Sequence, residues 1–500
     1  MVQNLVPDVG ITTLLVSLFL VCLLYFIFHE KSDHYPPGPI SFPILGNVPQ
    51  IYLSGSIIKF CEANRKRFGN VFTIQLGGHK RVVVSGYDNF NKLLIKNAQY
   101  SSTRSAKALS SLNTELAKHS PGIFWAPFPQ WKSLRSMAIS SLRDEGMGKA
   151  FLEPKIMEEI EEYIKHYIKP HTGTPISVQR SLSRASSNLI SQMVLGQRFC
   201  YEHEQATTVI ESLNEVFALA GKLSILDNIP LAGLFFKHLR DRYSFISFHI
   251  IRPFFTRYFD EHKQKFDDNN LGDVLDRYIL NSRQPLLSAD DKQCFSDNNC
   301  VSFCAQLYSA GTETTSTALS WALLYMCLYP EVLQKTQAEI DEHLGLDRCV
   351  TSKDRLSLPY TDSVLLEVLR KANIAPSSVP HSLCNSVEID GKILPSGADI
   401  LLNMTSVLYD ETVFEEPDKF KPERYLTGDI ALKKQRTIPF GIGRRACLGE
   451  SLAKMEIFMF FVTFVQRYNM SLPDGCMATD EPVTAVVNTP KPYEIIFTAR

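Results

Sequence analysis

Apolar and polar residues alternate from Val71 to Val84 (VFTIQLGGHKRVVV) on both sides of Gly77-Gly78, the period-two pattern of two half-buried strands joined by a tight turn. A second hairpin is predicted over Val387–Ile393, turning on Asp390-Gly391. Elsewhere the spacing is helical. Ile156–Ile168, Ala185–Leu195, Phe245–Phe266, Ser302–Leu328, Val332–Leu344 and Asp362–Leu369 are long segments with few breakers, and a further helix is expected over Ser451–Val465. The pattern predicts a mainly helical chain with small β-sheets. No Pro/Gly/Ser-rich linker interrupts it after residue 50, so residues 51–500 read as a single large domain.

The N-terminus differs from the rest. From Val9 to Phe28 the chain is uncharged for 20 residues, about what a helix needs to cross ~30 Å of hydrocarbon. A secretory signal would want a basic start and a small-residue cleavage site, whereas here Asp8 precedes the run and FIFHEK ends it; residues 1–30 read as an uncleaved anchor. Lys31, on the C-terminal side, favours a cytoplasmic bulk with the N-terminus outside. Residues 31–50 hold Tyr35-Pro36-Pro37-Gly38-Pro39 and then Pro43, Gly46 and Pro49, a composition that cannot be helix. They form a stiff hinge, either an ordinary linker or a device that sets how the body leans on a membrane.

Composition removes several classes. Hydrophobic residues are 45% and charged residues 21%, ordinary for a globular protein, so disorder is excluded. With 52 basic and 53 acidic residues the net charge is −1, and the global basic footprint of a nucleic-acid binder is missing. Eleven irregularly spaced cysteines suggest reduced thiols rather than a disulfide framework.

The segment Phe440-Gly441-Ile442-Gly443-Arg444-Arg445-Ala446-Cys447-Leu448-Gly449-Glu450 carries the chemistry. One cysteine is framed by glycines immediately before a helix. Backbone N–H groups and the positive helix end both favour thiolate there, and a thiolate can ligate a soft or borderline metal. Phe440 can shield the sulfur, and the glycines let a flat cofactor approach the backbone. Gly441-x-Gly443-x-x-Ala446 also fits a dinucleotide fingerprint, but no apolar strand precedes it and no acid follows about 20 residues on. Zinc would need further well-spaced ligands, and Cys294, Cys300 and Cys304 contain no CxxC pair. A buried inert cysteine is the remaining alternative.

Phe440, Gly443, Arg445, Cys447 and Gly449 resemble the haem-ligand signature F-x-x-G-x-R-x-C-x-G of cytochromes P450. The family's other marks occur in order. Ala310-Gly311-Thr312-Glu313-Thr314 resembles its oxygen-activation segment; on a helix, Ala310 and Thr314 share a face, and Gly311 is expected to remove bulk where that face meets the haem. Glu367-Val368-Leu369-Arg370 and Pro422-Glu423-Arg424-Tyr425 resemble the E-x-x-R and P-E-R-F elements, implying a buried structural network of Glu367, Arg370 and Arg424, with Tyr425 replacing the usual phenylalanine. Trp131-x-x-x-Arg135 and His381 resemble contacts to the haem propionates. Among such proteins the chain is most similar to microsomal animal enzymes of the drug-metabolising and steroid 17-hydroxylase group.

The resemblance implies haem b with Cys447 as its thiolate ligand and Arg445 on a propionate. Thr314 and Glu313 would manage protons for O2 activation, and electrons would come from NADPH through cytochrome P450 reductase, with cytochrome b5 as an optional partner. It implies insertion of one oxygen atom into a lipophilic sterol, fatty acid or foreign compound by a protein of the endoplasmic reticulum membrane. Phe124, Trp125, Leu307, Ala310, Ala375, Val379 and Val486 would line an apolar substrate pocket. Ser377 and Ser378 are either turn residues or hydrogen-bonding groups for substrate. The region 207–269, with LAGLFF at its middle, is either a lid that dips into lipid or plain helix packing. The competing functions are an isomerase or dehydratase of the same fold and a non-catalytic haem sensor.

Overall fold

The computed structural model describes residues 10, 13–21, 34–104, 120–226, 229, 232–284 and 288–500. Both predicted hairpins form. β1 (Val71–Leu76) pairs antiparallel with β2 (His79–Ser85), Val71 opposite Val84 and Leu76 opposite His79. Strands Val387–Ile389 and Lys392–Leu394 are joined by Asp390 and Gly391 at φ 53° and 69°, the two positive values that a tight hairpin turn of matching twist requires. Two strands from the C-terminal half, β3 (His381–Ser382) and β4 (Asp399–Asn403), complete a four-stranded sheet in the order β1-β2-β4-β3, with β2 and β4 parallel.

Helices make up most of the remainder, and six position the site: α1 (Phe128–Asp144), α2 (Gln179–Leu195), α3 (Glu204–Leu226), α4 (Asp297–Leu328), α5 (Pro359–Ala372) and α6 (Glu450–Arg467). Several start earlier than the periodicity predicts. α2 begins at Gln179 rather than Ala185 because its early serines, which disfavour helix in isolation, bond back to carbonyls of the preceding turn, Ser181 to Val178 (3.1 Å) and Ser183 to Gln179 (3.2 Å). α4 begins at Asp297 rather than Ser302, with the Ser296 side chain accepting the Asn299 N–H as its cap. The helix expected over Phe245–Phe266 is longer and is built from Lys237–Ile246 and Arg252–Lys265, joined by a wider turn at Ser247–Ile251.

The main core gathers α1, α2, α4, α5 and α6 around α4, whose second half is buried on all sides from Thr315 to Met326. A smaller core lies between the sheet and the segment holding Phe90, Leu93 and Leu94. The predicted anchor falls mostly outside the described residues; residues 13–21 are helical and exposed, and no described helix is long and apolar enough to cross a membrane. Two N-x-S/T sequences occur, at Asn403-Met404-Thr405 and Asn469-Met470-Ser471; Asn403 is buried, with its amide donating to Ser85 Oγ (3.2 Å), so it is closed to glycosylation.

Candidate functional site

The cysteine loop folds back on itself before α6. The Cys447 N–H donates to the Phe440 carbonyl (2.9 Å) and the Ala446 N–H to that of Gly443 (3.1 Å). Gly443, at φ 82°, has no alternative, because a Cβ there would lie 2.4 Å from the Leu94 carbonyl oxygen. Gly441, at φ 73°, faces open space with nothing within 4 Å. Gly449 caps α6, and its N–H reaches the Cys447 sulfur, as the helix-start placement led us to expect. Burial pushes the thiol up; the Gly449 N–H and the Arg135 guanidinium act the other way, and Glu450 adds to the rise. Cys447 is nonetheless an exposed residue, so the surrounding protein that desolvates its thiol leaves it at an opening in the packing, a recess, and not in the closed core.

Next to this recess sits a cationic cluster. Trp131 and Arg135, one turn apart on α1, meet Arg445: the Arg445 guanidinium lies 4.2 Å from the Trp131 ring centroid and that of Arg135 5.5 Å from it. Arg445 donates to the carbonyls of Ser102 (2.9 Å) and Ala126 (2.8 Å), and Arg135 to that of Ala446 (2.8 Å). Arg104 donates to the carbonyls of Val379 and Pro380, and its buried Nε has no partner. His381 is buried, with Nδ1 2.7 Å from the Ser101 carbonyl oxygen.

Among the described residues no carboxylate acts on Arg104, Arg135 or Arg445. The consequences are large. Burial, then Arg104 and Arg135, push Arg445 down to about 8; burial pushes Arg104 down to about 9; burial and the two arginines Arg104 and Arg445 hold His381 well below the ordinary histidine value. A guanidinium does not give up its proton, so such a cluster calls for a ligand bearing more than one negative charge. Arg104 is the member that sequence reasoning missed: it stands in a loop, in no motif, and only the fold brings it to Arg445.

α4 is linked to this cluster through Phe124, whose carbonyl accepts from Arg445 (3.5 Å) and whose N–H donates to Gln306 of α4 (2.9 Å). Thr314 Oγ1 donates to the Ala310 carbonyl (2.7 Å), and both residues are partly open in a helix that is otherwise largely buried. Glu313 has one carboxylate oxygen buried without a partner, and burial pushes its carboxyl up. Gly311 corrects the sequence reading: a Cβ there would meet Ile190 of α2 at 3.0 Å, so its bareness serves the packing of α2 on α4 and not the open face.

The Glu367 network forms as expected. Glu367 Oε2 accepts Arg370 Nε (2.8 Å), and Oε1 accepts the second Arg370 nitrogen (2.9 Å), Arg424 Nε (3.0 Å) and the Lys421 N–H (3.0 Å); Glu367, Arg370 and Arg424 are all buried. Tyr425, the departure from the familiar motif, is accommodated because its hydroxyl lies 2.6 Å from Thr437 Oγ1.

The predicted lining residues come from segments that converge on α4. The short helix Gly122–Trp125, with Phe124 and Trp125, is tied to it by the Phe124 N–H donating to Gln306 (2.9 Å). Leu307 is buried, and Ala310 is partly open. Ala375 and Val379 lie on the stretch after α5, and the turn bearing Val486 is held against it by the Asn488 N–H donating to the Ile374 carbonyl (2.8 Å) and by Trp321 Nε1 of α4 donating to Asn488 (3.0 Å). Ser378, at φ 53°, closes a turn with its N–H on the Ala375 carbonyl (3.1 Å), which favours the turn reading of Ser377 and Ser378.

Comparison with known proteins decides the family. The family model described as Cytochrome P450 matches residues 36–497. The chain is a cytochrome P450. It is 32% identical to cytochrome P450 2D28 of Mesocricetus auratus over 97% of this chain and 98% of the relative, and 33% identical to cytochrome P450 2D26 of Mus musculus over 99% of each. Cytochrome P450 2B9 of Mus musculus is 31% identical over 99% of this chain and 100% of its own length. A P450 of this kind is a haem-thiolate monooxygenase that uses haem b, O2 and NADPH-derived electrons delivered by a reductase, and acts on lipophilic substrates. The residues fit that cofactor: an accessible sulfur opens on a recess, and three arginines without a counter-charge stand where a group with two carboxylates would balance them.

Proposed function

We propose that this P450 hydroxylates a lipophilic small molecule at a site built from Cys447, the arginine cluster and the open face of α4. The observation that carries the reading is the accessible Cys447 sulfur beside Arg104, Arg135 and Arg445, which have no carboxylate partner among the described residues. Cys447 is the thiolate ligand; Arg445, Arg135, Arg104, Trp131 and His381 hold the propionates; Phe440, Gly441 and Gly443 shape the loop beneath. Haem, when bound, supplies reductive activation of O2, with the thiolate favouring O–O cleavage.

The protein's own work is with protons and position. Thr314 keeps its hydroxyl on the open face by donating to the Ala310 carbonyl, which leaves its lone pairs free to accept. Glu313, with burial favouring its protonated form, carries the proton that Thr314 passes on. The apolar lining from Phe124, Trp125, Leu307, Ala310, Ala375, Val379 and Val486 orients substrate and excludes water. The Thr314/Glu313 pair disfavours an isomerase, a dehydratase or a passive sensor, none of which needs a proton relay.

We place residues 1–30 as a single membrane anchor, 31–50 as the hinge and 51–500 as the catalytic domain, on the cytosolic face of the endoplasmic reticulum. Leu234 and Phe235, 75% and 77% exposed in the middle of the lid region, support contact of that region with lipid. Cytochrome b5 is an optional second electron donor. The reading is tested by supplying reductase, NADPH and labelled O2: one labelled atom enters product and one enters water. Thr314→Ala keeps the haem spectrum but diverts electrons to peroxide; unchanged product per NADPH in that variant overturns the relay.

A further inference from the structure

Outside the haem recess, three side chains converge where one helix ends and the next begins. His262 stands in the last turn of the helix Arg252–Lys265, Asp273 is the N-cap of the helix Val274–Ser282, and Asp276 lies in its first turn. One ring nitrogen and one oxygen from each carboxylate all lie within 4.8 Å of one another. Asp273 is buried and the other two are partly so.

The imidazole is turned so that two acceptors face each other. Its Nδ1 lies 2.7 Å from the Tyr258 carbonyl oxygen, which can only accept, so a ring proton sits there. Nε2 then directs its lone pair at Asp273 Oδ2, 2.8 Å away. Either a second ring proton or a metal ion must stand between them. A histidine that gives its other N–H to a backbone carbonyl has the support a metal-ligating imidazole ordinarily has. The carboxylates are held in the same manner. Asp273 Oδ1 accepts the Asp276 N–H (2.9 Å), which leaves Oδ2 to the site, and Asp276 Oδ2 accepts the Gly272 N–H (3.0 Å).

The fold also keeps space open at the central oxygen. Gly196, at φ 64° just past the end of α2, would bring a Cβ to 2.6 Å from Asp273 Oδ2. Nearby charge adds to the demand for a cation. Glu145 adjoins Asp273, and of the neighbouring cations Lys155 and Arg277, the latter is already paired with Asp144 (3.2 Å).

We propose that His262, Asp273 and Asp276 bind a divalent transition-metal ion of the zinc type. One imidazole with two carboxylates is a donor set that suits Zn2+, with water completing the four ligands, whereas Mg2+ and Ca2+ favour oxygen alone. The ion takes the place of the second ring proton, which leaves as it binds. Its role is structural: it ties the last helix of the region 207–269 to the helix that follows and fixes the loop between them. The site shares no residue with the haem recess, so its test does not depend on the monooxygenase reading.

The test is calorimetric titration of chelator-treated, dialysed holoenzyme with ZnCl2, MgCl2 and CaCl2, with thermal unfolding followed in each salt. The natural protein takes up one zinc ion per chain, and its unfolding midpoint rises with zinc concentration but not with magnesium or calcium. His262→Gln and Asp276→Asn bind zinc at least about tenfold more weakly and lose the shift, with the carbon monoxide spectrum of the natural protein retained as the sign of an intact fold. Zinc X-ray absorption of the natural protein shows one imidazole among oxygen neighbours, and decides the ligand set where a variant fails to fold. Absence of stoichiometric uptake leaves a proton in the ion's place and overturns the site. Unchanged affinity in both variants, or sulfur among the zinc neighbours, puts the ion elsewhere and overturns it too. Magnesium or calcium binding as tightly as zinc overturns the assignment of the metal.

Discussion

Replacing Glu367 by Gln removes the one negative charge shared by two buried guanidiniums. Arg370 keeps its hydrogen bonds to the carbonyls of Leu408 and Pro417 (2.8 Å each), and Arg424 keeps that to Glu415 (2.7 Å), so both remain partly solvated by backbone dipoles. What is lost is the charge balance. The new amide also turns a donor toward either Arg370 Nε or the three donors now on Oε1. Breaking a buried pair while leaving its cation behind costs about 3–5 kcal/mol. The same sequence spacing on a helix surface would be worth only a few tenths of a kcal/mol, so burial decides the size. Lys335–Glu423, with side chains 57% and 45% exposed, is the internal control and should cost less than about 1 kcal/mol. The assay is equilibrium denaturation of the purified holoenzyme, followed by haem release and by helical signal, for Glu367→Gln and Lys335→Gln side by side. Glu367→Gln should lose haem and unfold well before the natural protein, with Lys335→Gln close to it. Matching midpoints for Glu367→Gln and Lys335→Gln would refute the charge-balance argument.

Three further substitutions test other parts of the account. Glu456 is buried on α6, and burial and then Glu159 push its carboxyl well above the usual 4.5. The folded protein therefore holds a proton that the unfolded chain releases, and stability is full below about pH 4.5 and falls as pH rises toward the folded value. Glu456→Gln removes this dependence, so its gain over the natural protein should grow with pH above that point; parallel stability-against-pH curves would contradict it. Gly443→Ala brings a Cβ to 2.4 Å from the Leu94 carbonyl oxygen, whereas Gly441→Ala meets nothing within 4 Å and carries only the strain of its positive φ, about 1–2 kcal/mol. Haem content should fall sharply in the first and little in the second; equal losses would contradict the steric assignment of the loop.

The sequence made the haem-facing half of this protein readable because its chemistry sits in short local strings. Cys447 with its glycines, Glu367 with Arg370, and Trp131 with Arg135 each lie within one turn or loop, so spacing alone pairs them. The two hairpins were equally plain, since Gly77-Gly78 and Asp390-Gly391 each separate two short runs rich in apolar and β-branched residues. Arg104 was not readable: its meeting with Arg445 depends on a loop carbonyl at Ser102 being brought to a residue more than 300 positions away. Gly311 was misread because periodicity tells which residues share a face but not which neighbour a bare position admits; Ile190 of α2 takes that space. The early turns of α2 were missed because serines count against helix until their hydroxyls are seen bonded to the preceding turn.

The central claim is that Cys447 presents a thiolate to haem. It is tested most directly by the carbon monoxide difference spectrum of the reduced, haem-loaded protein, with Cys447→His measured alongside. The account predicts the long-wavelength Soret band of thiolate ligation in the natural protein and its replacement by a shorter-wavelength, imidazole-type band in Cys447→His. A shorter-wavelength band in the natural protein, or a thiolate-type band that survives in Cys447→His, would contradict it.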